Sequence, residues 1–172
     1  MEAFTMRLTA NITYPSNLIL KIRELSKGGA ASKVLNDAIT GLAIKLQTKI
    51  KDEKLSGQVL HVRSGALRQS INYRVSGTGS SITAEVFSHG VPYAAIHEFG
   101  GHTKPHKIEA IHAQALHFLM GGKDIFVKSV NHPGSVMPER SYMRSSLQEM
   151  LPEIRKTLLR AIIVGGLEVR NG

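Results

Sequence analysis

The feature that most constrains the fold is a long apolar stripe between Ala30 and Lys54. Its members stand four, three, four and four residues apart: Leu35, Ile39, Leu42, Leu46 and Ile50. This spacing places them on one face of an amphipathic helix. At about 1.5 Å per residue the helix would be roughly 37 Å long. Because that is long for a chain of 172 residues, we expect part of it to contact another subunit.

Two shorter elements are predicted before this helix. Leu8, Ala10 and Ile12 alternate with polar residues, which indicates a short strand. A first helix is predicted from Pro15 to Gly28, where apolar residues keep helical spacing. Helical structure is therefore expected over residues 15–55, with an interruption at the glycines.

The middle of the chain, residues 60–132, is predicted to be rich in β-structure. Apolar residues alternate over Ile71–Val75 and Ile82–Val86, on either side of a glycine- and serine-rich turn. A similar pattern surrounds the turn at Gly121-Gly122, with strands over Leu116–Met120 and Ile125–Ser129. Alternation of this kind around a turn is typical of β-hairpins.

Residues 139–164 return to a helical period, with apolar positions at Met143, Leu147, Leu151, Ile154, Leu158 and Ile162. Pro152 should kink or divide this helix, and Gly165-Gly166 should end it. The order of elements predicts an α+β fold in which an antiparallel sheet of hairpins packs against the long N-terminal-half helix and the C-terminal helix. We expect one domain spanning residues 1–172.

Composition excludes several kinds of protein. The chain has no cysteine, which rules out disulfides, thiolate metal sites and a cysteine nucleophile. Its net charge of +9, from 22 basic and 13 acidic residues, favours nucleic acid or an acidic protein surface as partner. The apolar run Ala161–Val164 is too short to cross a bilayer, and the N-terminus lacks the apolar centre of a signal peptide. No membrane partner is expected.

Histidines are concentrated in one region, at His89, His97, His102, His106, His112, His117 and His132. His97-Glu98 is similar to the start of a zinc-protease helix, which needs its second histidine four residues after the first. Here the next histidine is His102, and Gly100-Gly101 would break the helix before it. A zinc-dependent hydrolase would have to assemble this cluster from distant residues, with Glu98 as base. That possibility is kept as an alternative.

The nucleophile and phosphate motifs are absent. Gly77-Thr78-Gly79-Ser80-Ser81 lacks the final glycine of a nucleophile elbow. Gly121-Gly122-Lys123-Asp124 lacks the glycine spacing and hydroxyl residue of a phosphate-binding loop. Since no acid–base pair can be assembled from the sequence, we expect no catalytic residues, no cofactor and no enzymatic activity.

Three segments carry a more informative pattern, and we call them the first, second and third box. The first box contains Gly65, Leu67, Arg68 and Ser70, immediately before the first hairpin. The second box contains Tyr93, Glu98, Phe99 and Gly100, in a short helix that places Tyr93, Ile96 and Phe99 on one face. The third box contains Pro138, Arg140 and Tyr142, where a loop leads into the last helix.

In order and spacing, the boxes resemble those of the virion-morphogenesis and tail-completion proteins of long-tailed phages, a family of small neck subunits. That family has Gly-x-Leu-Arg-x-Ser, then Tyr-Ala-x-x-x-Glu-Phe-Gly, then x-Pro-x-Arg-Pro-Phe-Leu. The first two patterns match this chain closely. The third departs from it at Ser141, where a second proline is usual, and at Tyr142, where phenylalanine is usual. The resemblance covers Gly65 to Leu147.

The resemblance implies a structural virion protein that joins or completes the tail by forming a ring at the head–tail interface. A hexamer is the expected ring, with a dodecamer as the alternative. Its partners would be the head–tail connector and the tail terminator or tail tube proteins, with DNA passing through the channel. It would be assembled in the host cytoplasm and reside in the virion neck. A basic nucleic-acid-binding protein is the other alternative, but the chain offers neither clear aromatic platforms nor a groove-reading helix.

Overall fold

A computed structural model of the chain describes residues 5–8, 29–61, 64–78 and 81–170. The helices are α1 (Gly29–Lys49), α2 (Ala66–Ser70), α3 (Ala94–Phe99) and α4 (Met143–Arg170), and a π-helical segment, Ile50–Gln58, continues α1. The strands are β1 (Thr5–Leu8), β2 (Ile71–Thr78), β3 (Ser81–His89), β4 (Gly101–His102), β5 (His106–Glu109), β6 (Leu116–Met120), β7 (Lys123–Val127), β8 (Ser129–His132) and β9 (Val136–Met137). The predicted α+β fold is confirmed.

A three-stranded antiparallel sheet, in the order β1-β3-β2, packs against α1, which in turn packs against α4. In the first hairpin, β2 and β3 pair from Ile71↔Ser88 to Thr78↔Ser81, as the alternating pattern predicted. The core lies between these layers and contains Leu46, Ile50, Leu55, Leu60, Ile71, Val86, Val91, Ala94, Tyr142, Met143 and Met150. Each large apolar side chain buried there stabilises the fold by about 1.5–3 kcal/mol.

The predicted long helix forms, and its apolar stripe is buried most deeply at the C-terminal end. Leu46 and Ile50 are buried in the core, whereas Leu35, Ile39 and Leu42 are half-buried. Beyond Lys49 the helix widens and then leaves helical geometry at Ser56 and Gly57. The predicted helix from Pro15 and the strand positions Ala10 and Ile12 lie outside the described residues.

Ion pairs join α1 and its continuation to α4. Glu149 pairs with Lys49 at 2.9 Å and with Lys54 at 2.5 Å, and Lys45 pairs with Glu153. The hydrogen bonds from Lys54 and Lys49 lower the pKa of Glu149. These ion pairs help to set the orientation of α4 against α1.

The prediction that Gly165-Gly166 would end the last helix was wrong, because the helix continues through both glycines to Arg170. Of the two outcomes predicted at Pro152, a kink or a division, the division does not occur. Pro152 removes one backbone hydrogen bond, but Met150 and Ile154 on either side of it pack in or against the core. Glycine lowers helix propensity by about 1 kcal/mol and does not by itself end a helix. None of the helices in the described ranges is both long and apolar enough to cross a membrane.

The segment Gly101–Met137 forms a two-stranded antiparallel ribbon, which we call the arm. One register runs from Gly101↔Met137 to Glu109↔Ser129. Residues 111–115 then bulge from one strand, and β6 pairs with β7 to form the end of the arm. The second hairpin was therefore predicted correctly, but it lies on the arm and outside the three-stranded sheet.

Candidate functional site

The second and third boxes meet through a buried carboxylate. Glu98, on α3, is 1% exposed, and its Oε2 accepts hydrogen bonds from the backbone N–H groups of Tyr142 (2.8 Å) and Met143 (2.9 Å). Its Oε1 accepts from the backbone N–H of Arg144 (2.9 Å) and from the hydroxyl of Ser141 (2.8 Å). Helix N-termini present unpaired N–H donors and a positive dipole end. Glu98 therefore caps α4 from a distant part of the chain.

Arg144 strengthens this contact with its side chain. Its guanidinium donates to the Glu98 carboxylate (3.1 Å), to the Glu98 carbonyl (3.2 Å) and to Glu139 (2.6 Å). The same group lies 4.7 Å from the centre of the Phe99 ring, a cation–π geometry. A cation in the first turn of a helix opposes the helix dipole. Arg144 is tolerated there because Glu98 supplies the compensating charge.

Gly100 allows the two boxes to approach at backbone distance. Its φ is +68°, and a Cβ at this position would lie 2.8 Å from the Glu139 nitrogen and 3.0 Å from the Met137 oxygen. Next to it, the Arg140 N–H donates to the His97 carbonyl at 2.9 Å. The conformation and the contact both require glycine.

Tyr142 fills the core beneath this contact and is fully buried. Its hydroxyl donates to the carbonyl of Ala94 at 3.2 Å. Burial raises the pKa of the Tyr142 hydroxyl far above its ordinary value, and the nearby Glu98 carboxylate adds to the shift. The buried face of α3 is thus Ala94 and Glu98.

The predicted apolar face of α3 is not the buried one. Tyr93 is 42% exposed and Phe99 is 53% exposed. Neither ring fills the core, because the one turn of α3 directs Ala94 and Glu98 inwards to reach α4. Phe99 instead covers the Arg144 guanidinium, and the Tyr93 ring meets His97 edge-on at 5.7 Å.

The first box connects the end of the long helix to the sheet. Gly65, with φ +75°, precedes α2, and Leu67 packs against the core. The Ser70 hydroxyl shares a 2.8 Å hydrogen bond with Ser88 of β3. The Arg68 guanidinium donates to the Lys51 carbonyl (3.1 Å) and to Asp52 (2.6 Å). Ser70 and Leu67 therefore stabilise the fold, whereas the Arg68 side chain remains exposed.

The outward-facing members of the three boxes converge on a cavity of about 700 Å³, which we call the junction cavity. Arg68, Tyr93 and Arg140 come from one box each, and His97, Leu55 and Leu60 are among the other lining residues. His97 Nδ1 is sealed from solvent and has no hydrogen-bond partner among the described residues. Burial lowers the pKa of His97, and the Arg140 charge lowers it further.

The boxes therefore contain two kinds of residue. Glu98, Gly100, Ser70 and Tyr142 hold the fold, whereas the exposed Arg68, Tyr93 and Arg140 line the junction cavity. Pro138 lies exposed at the start of the third box.

Sequence reasoning missed the roles that three residues have at this junction. The roles of His97, Ser141 and Arg144 depend on contacts across the chain. Ser141, which departs from the resembled pattern, donates to Glu98. The role of Arg144 could have been inferred from the sequence, since a cation near the start of a predicted helix implies a nearby carboxylate.

The histidines of the proposed zinc cluster are distributed along the arm and the body. His106 and His132 stack at 5.0 Å between ring centres, and His117 stacks on Phe126 and bonds Asp124 at 2.6 Å. Within the described ranges, no three His, Asp or Glu side chains come together in a geometry that could hold a metal ion.

Comparison of the chain with protein-family models, with curated protein sequences and with solved structures finds no match. Function is therefore inferred from the contacts of the junction, from the arm and from the resemblance of the three boxes.

Proposed function

We propose that this chain is a structural protein of a tailed-phage virion, which forms a ring at the head–tail interface and joins or completes the tail. The resemblance of the three boxes suggests this role. The junction supports it, because Glu98 and Gly100, two positions of the matched boxes, hold α3 against α4 within the folded subunit. Six copies are proposed for the ring, with twelve as the alternative.

The observation that carries the proposal is the arm. A two-stranded ribbon is at best marginally stable in water unless something packs against it. The arm nevertheless exposes large apolar side chains near its end: Ile111, Leu119, Met120 and Phe126 are between 67% and 80% exposed. Exposed apolar side chains gathered near one end of the arm indicate an interaction site.

Both faces of the β6–β7 hairpin carry apolar side chains. Leu116, Phe118 and Met120 point to one face, and Leu119 and Phe126 belong to the other, because side chains alternate along a strand. An arm that is apolar on both sides is suited to insertion between two neighbouring surfaces. In a ring, the same contact repeats from one subunit to the next.

The arm contact is expected to be weak enough that free subunits do not assemble before they meet the correct partner. Each fully buried apolar side chain contributes about 1.5–3 kcal/mol before the entropy of association is subtracted. A few such side chains support only weak pairing of free subunits. Closure of the ring on a connector or tail partner adds further contacts. The net charge of +9 suits channel DNA or acidic neighbouring proteins.

A tail-joining complementation assay tests the proposal. The double variant Leu119→Ser, Phe126→Ser removes apolar surface from the arm without altering the core, so the protein should fold but fail to restore tailed particles. Gln114→Ser, an exposed polar change on the same arm, is the matched control and should complement fully. Full complementation by the double variant would contradict the proposed use of the arm.

A further inference from the structure

We propose that the junction cavity binds a segment of an acidic protein partner, in which a carboxylate side chain pairs with Arg140 and an adjacent apolar side chain sits against Leu55, Leu60 and Leu67. The inference rests on the proposed function for the identity of the partner as a neighbouring virion protein. The chemistry of the ligand follows from the cavity itself.

Among the described residues, the cavity wall has two arginines, two histidines and no acidic side chain. The arginines are Arg68 and Arg140, and the histidines are His61 and His97. Arg68 is already paired with Asp52, but no carboxylate in the described part of the chain lies within ion-pair distance of the Arg140 guanidinium. Arg140 is therefore the cation available to a ligand. A carboxylate or phosphate is the group that arginine pairs with best.

The rest of the wall selects between those two anions. Leu55 and Leu60 are buried core residues, and with Leu67, Tyr93 and Met137 they give the cavity an apolar floor. A nucleic-acid backbone is matched by a row of cations and gains nothing from an apolar floor. A peptide that carries an acidic residue beside an apolar one satisfies both parts of the wall.

A second copy of the chain is a poor source of that carboxylate. Most of the described carboxylates are occupied within their own chain: Glu85 pairs with Arg74, Glu139 with Arg144, and Glu149 with Lys49 and Lys54. An acidic partner protein complements the cavity without breaking such pairs.

Substitution of the Arg140 side chain should change ligand affinity without loss of the fold. The described hydrogen bond of Arg140 runs from its backbone N–H to His97, so its side chain is not used to hold the junction. The Nδ1 atom of His97 is buried without a partner among the described residues. A buried polar atom left unpaired is costly, and a small shift of the wall when a segment binds would allow it to find one.

Titration of the full chain with short peptides, followed by nuclear magnetic resonance, tests the inference. The probe is a blocked peptide of alternating leucine and glutamate, and the matched probe has glutamine in place of glutamate. We expect saturable shifts of the Arg140 and Tyr93 signals with the glutamate peptide. Binding should weaken about tenfold or more with the glutamine peptide, and equally in Arg140→Gln, since a hydrogen bond to a charged group is lost.

Arg155→Gln is the control, because Arg155 is exposed on α4 and does not line the cavity. It should bind the glutamate peptide as the parent chain does. Equal binding of the two peptides, or unchanged binding in Arg140→Gln, would overturn the inference. So would a DNA duplex that shifts the same signals while the peptide does not. If the chain binds the peptide but forms no ring in virions, only the proposed function is refuted. If it forms the ring but does not bind the peptide, only this inference is refuted.

Discussion

The N–H of Met143 donates to the carboxylate of Glu98 at 2.9 Å, across 45 residues of sequence. Through this bond the short helix α3 sets the position where the long helix α4 begins. The neighbouring N–H groups of Tyr142 and Arg144 bond the same carboxylate. Two motifs that are separate in the sequence are thus a single structural unit.

Glu98→Gln should lower the free energy of unfolding by about 3 kcal/mol or more. The amide cannot accept on both sides, so buried N–H donors of α4 lose a charged acceptor. Denaturant unfolding measures the change. Glu139→Gln removes only an exposed partner of Arg144 and should cost less than about 1 kcal/mol. Similar costs for the two variants would show that Glu98 does not cap α4. Zinc content and hydrolytic activity measured alongside would reveal the alternative role of Glu98 as a catalytic base.

Gly100→Ala should be among the most damaging single changes. The added Cβ would meet backbone atoms at 2.8 and 3.0 Å, in a chain segment with φ of +68°. Gly121→Ala is the matched control, because Gly121 has φ of +59° but open space around its Cβ position. The left-handed conformation costs each alanine about 1–2 kcal/mol, and the clash should add at least about 2 kcal/mol to Gly100→Ala. If melting of the two variants coincides, the close approach of the boxes is not required.

Tyr142→Phe should change the dependence of stability on alkaline pH. Because burial raises the pKa of Tyr142 in the folded state, the unfolded chain loses this proton first, above its ordinary pKa of 10.0. The contribution is fully present below that pH, and above it the free energy of unfolding falls by about 1.4 kcal/mol per pH unit.

The variant lacks this titration and also loses the hydrogen bond to Ala94, which contributes about 1 kcal/mol. Tyr142→Phe should therefore be less stable near neutral pH, and its deficit should shrink above about pH 10. Denaturant unfolding at a series of pH values measures both curves. Parallel curves through that range would mean that Tyr142 ionises as freely in the folded chain as in the unfolded one.

Tyr93→Ala and Phe99→Ala should each lower the free energy of unfolding by about 1 kcal/mol or less. Their rings are 42% and 53% exposed, so removal leaves no large cavity. Phe99→Ala loses in addition the contact with Arg144. Thermal unfolding compares them with Tyr142→Ala, which empties a buried site and should cost about 3–5 kcal/mol. A loss of that size in either exposed variant would show that the ring is buried by a partner or by the core.

Regular periodicity made most of the helices and the two hairpins predictable. The stripe from Leu35 to Ile50 and the alternation in Ile71–Val75 are local signals that tertiary contacts reinforce. The end of α4 was missed because Gly165-Gly166 lowers helix propensity without forbidding the helix. The strands of the arm outside the β6–β7 hairpin were missed because they are polar and carry no clear alternation, as in His106–Glu109.

The candidate site was predictable only as a set of motif positions. A helix of one turn has too few residues to reveal its buried face. The sequence groups the apolar Tyr93 and Phe99 on one face, whereas the buried residues are Ala94 and Glu98. Burial of Glu98 follows from donors that the chain presents only after α4 has formed. The junction cavity likewise exists only when all three boxes are in contact.

Reconstruction of the virion neck by electron cryomicroscopy tests the central claim most directly. We expect a closed ring, most simply of six copies, at the head–tail interface. The arm of each subunit should bury Leu119 and Phe126 against a neighbouring subunit or an adjoining neck protein. A neck that contains one copy or none of this chain would contradict the proposed function, as would a ring in which both side chains remain exposed to solvent.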